Sequence, residues 1–248
     1  MLLCLFFTSH LHATWETELN QNNDHGFWSE ENLDKKFWKN WIARFHFEQR
    51  WGADYKKFWY EENQFILLYD LSSLFCLSKE GVFTSLNIGP GYTHITTTQK
   101  NTHGNFHWVG LERPLLEANL GMKLFGWTIN QRMRGEYNFY TRKHYKAHGA
   151  YRHRLLCLSP WKWSCYKINP YVSNEWFFRQ NTYSTNHPHG LVGGWHENRF
   201  RVGLIGNLYK ETVTLALFWQ WRILKQKPES HPRWFNTYQE GVALNFIF

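Results

Sequence analysis

Val242-Ala243-Leu244-Asn245-Phe246-Ile247-Phe248 ends the chain on an alternating pattern. Successive side chains of an extended strand point to opposite sides, so Val242, Leu244, Phe246 and Phe248 share one face. Outer-membrane β-barrels typically close on an amphipathic strand with a final aromatic ring, and the barrel assembly machinery reads that end. The segment therefore sets two expectations: an outer-membrane barrel, and an assembly partner that recognises the strand ending at Phe248.

The same period recurs upstream. In Trp41 to Glu48, one face carries Trp41, Ala43, Phe45 and Phe47 and the other Arg44, His46 and Glu48, continuing to Arg50. Asn130, Arg132, Arg134 and Glu136 oppose Trp127, Ile129, Met133 and Tyr137. Arg199 and Arg201 alternate with Phe200, Val202 and Leu204, and Val213, Leu215, Leu217, Trp219 and Trp221 alternate with Thr214, Ala216, Gln220 and Arg222. Helices do not repeat this way. Runs of ten or more residues suit a tilted bilayer crossing, whereas strands of soluble proteins usually stop at about five or six.

Composition agrees. The chain has 248 residues, 19% of them aromatic, with 15 Trp, 13 Tyr and 20 Phe. Its mean hydropathy is nevertheless −0.58. A polar average with an aromatic excess fits a barrel, where half of each strand meets lipid and Trp and Tyr form girdles at the headgroups. After the first dozen residues no apolar run reaches the ~18 residues of a membrane-crossing helix. Without such helices a membrane chain must close into a barrel, because lipid satisfies no open backbone edge. The net charge of +8 raises nucleic-acid binding. The basic residues form no Lys-rich tail or helical stripe, so no nucleic-acid partner is expected.

These signals give an all-β, antiparallel, up-and-down transmembrane barrel. Ten strands are expected at 39–50, 62–77, 82–95, 107–118, 123–139, 147–158, 166–178, 196–206, 211–224 and 236–248. Long connections (51–61, 96–106, 140–146, 179–195, 225–235) alternate with short ones near 78–81, 119–122, 159–165 and 206–210, the pattern of longer outer loops and short periplasmic turns. An even count starting upward at 39 leaves both termini in the periplasm. Residues 14–21 also alternate, so twelve strands is the alternative, while 22–34 reads as a polar linker. The expected division is thus a signal peptide at 1–13, a periplasmic segment or extra strand at 14–38, and a barrel at 39–248.

The signal peptide rests on Leu2, Leu3, Leu5, Phe6 and Phe7 followed by Leu11-His12-Ala13, though the usual basic start is missing. Cleavage there removes Cys4. Cys157 and Cys165 flank a short turn and could pair in an oxidising periplasm, leaving Cys76 free; three inert thiols is the alternative.

A series of short motifs resembles the uncharacterised Gram-negative outer-membrane barrel proteins grouped as domain-of-unknown-function family 2490. They are Phe45-His46-Phe47-Glu48-Gln49-Arg50, Ile88-Gly89-Pro90-Gly91-Tyr92, Gln131-Arg132-Met133-Arg134-Gly135-Glu136-Tyr137, Tyr151-Arg152-His153-Arg154, Asn174-Glu175-Trp176-Phe177-Phe178 and Asn198-Arg199-Phe200-Arg201-Val202-Gly203-Leu204. The resemblance implies an outer-membrane barrel and brings no activity or catalytic residue with it.

If the apolar faces meet lipid, Arg44, His46, Glu48, Arg50, Arg132, Arg134, Glu136, Arg152, Arg154, Glu175, Arg199, Arg201 and Arg222 face the lumen. Arginines outnumber glutamates in that set, nine to three. Cross-strand pairing can fill a narrow barrel; an uncompensated excess would instead favour small anions. The expected function is an unassigned outer-membrane barrel, a narrow porin-like anion-favouring pore, with a non-conducting adhesion or envelope-structural barrel as the alternative. Nine histidines fall in or beside the outer loops (His94, His103, His107, His144, His148, His187, His189, His196, His231), a possible Zn²⁺ or Cu²⁺ trap. Neither a metal nor a cofactor is expected. Nor is an enzyme: Ser184 and His187 lie in a loop, and no outward Ser/His pair with an orienting partner is evident.

Overall fold

The computed structural model describes residues 24–52, 57–78, 80–100, 106–141, 147–180, 193–210, 212–226 and 233–248. Among them, eleven strands form one closed barrel: β1 (Asp24–Trp38), β2 (Trp41–Gly52), β3 (Lys57–Asp70), β4 (Phe83–Lys100), β5 (Phe106–Leu124), β6 (Trp127–Tyr140), β7 (His148–Leu158), β8 (Asn169–Arg179), β9 (Gly194–Tyr209), β10 (Val213–Gln226) and β11 (Arg233–Ile247). Sequence neighbours pair antiparallel throughout. An odd count leaves one seam that must be parallel, and it lies between β1 and β11.

Strand β1 corrects both the count of ten or twelve and the polar linker at 22–34. Its inward positions are Trp28, Glu30, Asn32 and Asp34, and its outward ones include Ser29, Glu31 and Lys35. With polar residues on both faces the period of two disappears from the sequence. The backbone pairing does not depend on that contrast: β1 matches β11 from Asp24↔Thr237 to Asp34↔Ile247 and β2 from Phe27↔Trp51 to Trp38↔Trp41. The last residue is tied into the seam, Phe248 N donating to Asp34 O at 2.9 Å and Lys36 N to Phe248 O at 2.9 Å. Because β1 runs parallel to β11, it enters the wall at the long-loop end, opposite to the polarity expected for a first strand at 39. The expected signal segment, the alternating run at 14–21 and Cys4 lie outside the described residues.

Two turn positions also differ. The expected turn at 119–122 is continuous strand: the missing Cβ of Gly121 would lie 2.4 Å from Ser85 Oγ, so glycine there makes room inside the wall. The reversal comes at Phe125-Gly126, both at positive φ (51° and 82°), between the paired Leu124 and Trp127. Two left-handed residues twist the chain in the sense a two-residue hairpin needs. The strand expected to reach 77 stops at Asp70, whose carboxylate accepts from Ser72 N at 2.9 Å and turns the chain.

The wall separates two chemistries. Phe45 (50%), Phe65 (42%), Leu116 (54%), Leu204 (43%) and Leu217 (55%) are exposed on the outside. Aromatic side chains gather at each end of that surface. Near the long loops Phe27, Trp51, Phe58 and Trp108 contact in series at 5.7, 5.4 and 5.7 Å between ring centres, and Trp195 meets Trp234 at 4.9 Å. Towards the short turns Trp38, Phe75, Phe125, Trp161, Trp163 and Phe248 are exposed.

Cys76, Cys157 and Cys165 are separate thiols, so the 157–165 disulfide does not form. Intact-mass spectra of the folded protein alkylated without reductant are expected to show modification at Cys165 and Cys76. Protection of both Cys157 and Cys165 that reductant relieves would contradict the fold of that turn.

Candidate functional site

The barrel lumen concentrates the charged side chains. Their placement follows from period-two geometry: Arg44, His46, Glu48 and Arg50 alternate along β2, Arg132, Arg134 and Glu136 along β6, Arg152 and Arg154 along β7, Arg199 and Arg201 along β9. Glu175 on β8 and Arg222 on β10 complete the inward set. The sequence reading omitted Glu30, Asp34, Glu62, Arg113, Glu117 and Glu197, which share these faces. Glu30 and Asp34 were hidden in the presumed linker. For Arg113 and Glu117, the even spacing along one strand was a usable signal.

With those carboxylates included, the arginines pair. Arg44 grips Asp34 with both arms of its guanidinium, Nε to Oδ1 and Nη2 to Oδ2 at 2.8 Å each, and reaches Glu117 Oε1 with Nη1 at 3.0 Å. Arg134 Nε donates to the other oxygen of Glu117 at 3.0 Å, and Asn119 Nδ2 adds a third donor at 2.8 Å. Glu136 accepts from Arg152 Nε at 3.0 Å and lies 3.3 Å from Arg113. Glu197 takes Arg199 and, at 2.7 Å, Arg222. Arg132 meets Glu175 and Arg201 meets Glu30, each at 2.6 Å, while Arg50 pairs with Glu48. Bidentate and shared pairs of this kind hold charges in a low-dielectric space that would reject them singly. Most of the arginine excess is therefore met by carboxylates that cross-link the strands.

Trp28 lies at the heart of it. Three guanidiniums face its ring, Arg50 at 3.8 Å, Arg201 at 4.5 Å and Arg199 at 5.0 Å from the centroid. Cations over an indole face are attracted by its quadrupole, most strongly where water is excluded. Trp28, Thr93, Glu117 and Gln220 all point inward and have 0% of their surface accessible. A water-filled channel would leave such residues wet. The lumen is packed tightly around these side chains.

Among the described residues a cavity of about 370 Å³ lies in the lumen. Its basic side holds Arg44, Arg132, Arg154 and Arg201, and its apolar side Leu156, Leu158, Tyr171 and Ile205. Among the described residues Arg154 makes no hydrogen bond or ion pair, so its guanidinium can take a carboxylate or phosphate oxygen. Glu30 and Asp34 line the pocket as well.

The histidines do not gather. His46 contacts Asn32 at 2.8 Å inside the barrel, His148 is buried beside Asn138 at 3.2 Å, and His94 faces outward on β4. His103, His144, His187, His189 and His231 lie outside the described residues, as does Ser184; of His107 only the backbone is described. Among the described residues no three His, Cys, Asp or Glu are placed to hold a metal ion.

The family model described as "Protein of unknown function (DUF2490)" matches residues 25–232. The chain belongs to this family. The match begins within β1, so the strand missing from the sequence reading is part of the family's domain. No curated protein matches the chain.

Proposed function

We propose that this DUF2490 chain is an outer-membrane barrel that spans the bilayer with its lumen shut, and that it works through its outer surface rather than as a pore. One observation carries the proposal: the barrel is mostly apolar outside and charged inside, and the charged inside is packed around Trp28. Contiguous exposed apolar surface of this extent is costly in water, whereas an apolar band between two aromatic groups matches a lipid-spanning wall. Export to the periplasm and recognition of the Phe248 strand by the assembly machinery belong to the same reading, with lipid as the first partner. The anion-pore alternative is weaker because Trp28 and its arginines occupy the route a solute would take.

Nitroxides at Leu217→Cys and Leu116→Cys test the membrane placement in the protein refolded into phospholipid vesicles. Both are expected to collide freely with dissolved oxygen and poorly with a water-soluble nickel chelate, and a label at Phe125→Cys on the short turn is expected to show the reverse. Equal chelate access at all three sites would remove the bilayer from the account.

A further inference from the structure

Polar side chains interrupt the apolar outer wall, among them Gln131 with His153 and Asn174 with Asn198, and a cluster with two ionisable carboxylates lies on β1 to β5. Cross-strand register places Ser29, Gln49, Glu61 and Thr96 side by side on β1 to β4, and the next outward positions bring together Asn63, His94 and Glu112. Apolar residues flank the group on both sides: Phe45, Phe65 and Leu116 towards the middle of the wall, Phe58 and Trp108 towards the long loops. Ionisable groups on a lipid-facing wall are destabilising in proportion to depth, so a cluster of them calls for a role.

Within the cluster three side chains are in sequence. His94 Nδ1 lies 2.9 Å from Glu112 Oε1. A carboxylate only accepts, so Nδ1 carries the proton and Nε2 of the neutral ring is left as an acceptor. Thr96 Oγ1 stands 3.3 Å from that Nε2. Tyr92 Oη donates to the second carboxylate oxygen, Glu112 Oε2, at 2.7 Å and fixes its orientation. The His94 side chain is 46% exposed and that of Glu112 31%, so the group opens outward, not into the lumen. Hydroxyl, imidazole base and orienting acid in this order make an activated nucleophile, and the 3.3 Å separation is within the looser range of ligand-free sites. No outward Ser/His pair is evident in the sequence because the hydroxyl here belongs to a threonine. Here the pair is His94-x-Thr96 on one strand face, and its acid comes from the neighbouring strand.

We infer that Thr96, His94 and Glu112 form a hydrolytic site for ester-linked acyl chains of membrane lipids. His94 Nε2 takes the Thr96 hydroxyl proton as Oγ1 attacks the ester carbonyl. The tetrahedral intermediate collapses, breaking the bond to the alkoxy oxygen, and His94 returns the proton to the leaving alcohol. Water then attacks the acyl-threonine and passes a proton to His94; as the bond to Oγ1 breaks, His94 returns that proton to Oγ1, restoring the Thr96 hydroxyl and releasing the fatty acid. Glu112 steadies the imidazolium in both halves. The position suits the substrate: Thr96 is one outward position from Thr98, which pairs with Trp108, and aromatic belts mark the headgroup region beneath which acyl esters lie.

This inference rests on the membrane placement proposed above, and the experiment separates the two. The full chain is refolded into vesicles of phosphatidylethanolamine and phosphatidylglycerol carrying p-nitrophenyl palmitate, and insertion is checked by heat-modifiable gel mobility. Inserted wild type is expected to release p-nitrophenol and free fatty acid, and its intact mass to show an acyl adduct on the peptide containing Thr96. Thr96→Ser is expected to retain turnover. Thr96→Ala and His94→Ala are expected to lose at least about 100-fold, with gel mobility unchanged and the adduct absent. Inserted wild type that releases nothing, or Thr96→Ala with wild-type turnover, overturns the hydrolytic site alone. Protein that never gains heat-modifiable mobility overturns the membrane placement, and this site with it.

Discussion

Glu117→Ala is expected to destabilise the barrel by about 3–5 kcal/mol, the usual cost of removing one partner from a buried ion pair. Glu117 is fully buried and satisfies Arg44 from β2 and Arg134 from β6, so its loss strands guanidiniums on two separate strands. Arg44 keeps Asp34 and is partly compensated. Arg134 is left with Gln64 at 3.0 Å and Glu136 at 3.6 Å. Urea unfolding from vesicles, followed by tryptophan fluorescence, measures the change. Glu117→Gln keeps the shape and an acceptor, so a smaller loss is expected. Equal stability of Glu117→Ala and wild type would mean that the lumen is hydrated and the charges are already screened by water.

The second large effect is at Trp28. Truncation to alanine removes an indole with no accessible surface, a change that costs about 3–5 kcal/mol in a packed core. It also takes the shared face from Arg50, Arg199 and Arg201. Three guanidiniums then stand around a new void next to the 370 Å³ cavity. Water entering that space would join the cavity to the long-loop half of the lumen. Trp28→Ala is therefore expected to be less stable and, once folded, to pass small ions with anion preference.

Strand positions were legible wherever lumen and exterior differ in polarity. Arg132, Arg134 and Glu136 against Ile129, Met133 and Tyr137 mark the two faces in spite of Gln131 on the outer one, and the long-loop end of β6 agrees within a residue. The rule failed where both faces are polar. β1 has Glu30 and Asp34 inside and Ser29 and Glu31 outside, so periodicity could not reveal it, and with it went the odd strand count and the parallel seam. Cross-strand pairing in a narrow barrel was legible, but the buried indole of Trp28 was not, because it lies in the segment that reads as a linker. The arginine excess was overstated because Glu30, Asp34, Glu117 and Glu197 were not assigned to the inward face. The outward group at Thr96, His94 and Glu112 needed cross-strand register, since Glu112 is distant in sequence and only the pairing of β4 with β5 brings it beside His94.

Planar-bilayer recording of the folded wild-type protein tests the closed barrel most directly, with insertion established in the same preparation by heat-modifiable mobility and Trp28→Ala recorded alongside. Inserted wild type is expected to show no steady conductance steps, and the variant is expected to show them. Sustained, reproducible channel openings in wild type would contradict it, because ions would then have to pass Trp28, Thr93, Glu117 and Gln220, whose side chains have no accessible surface.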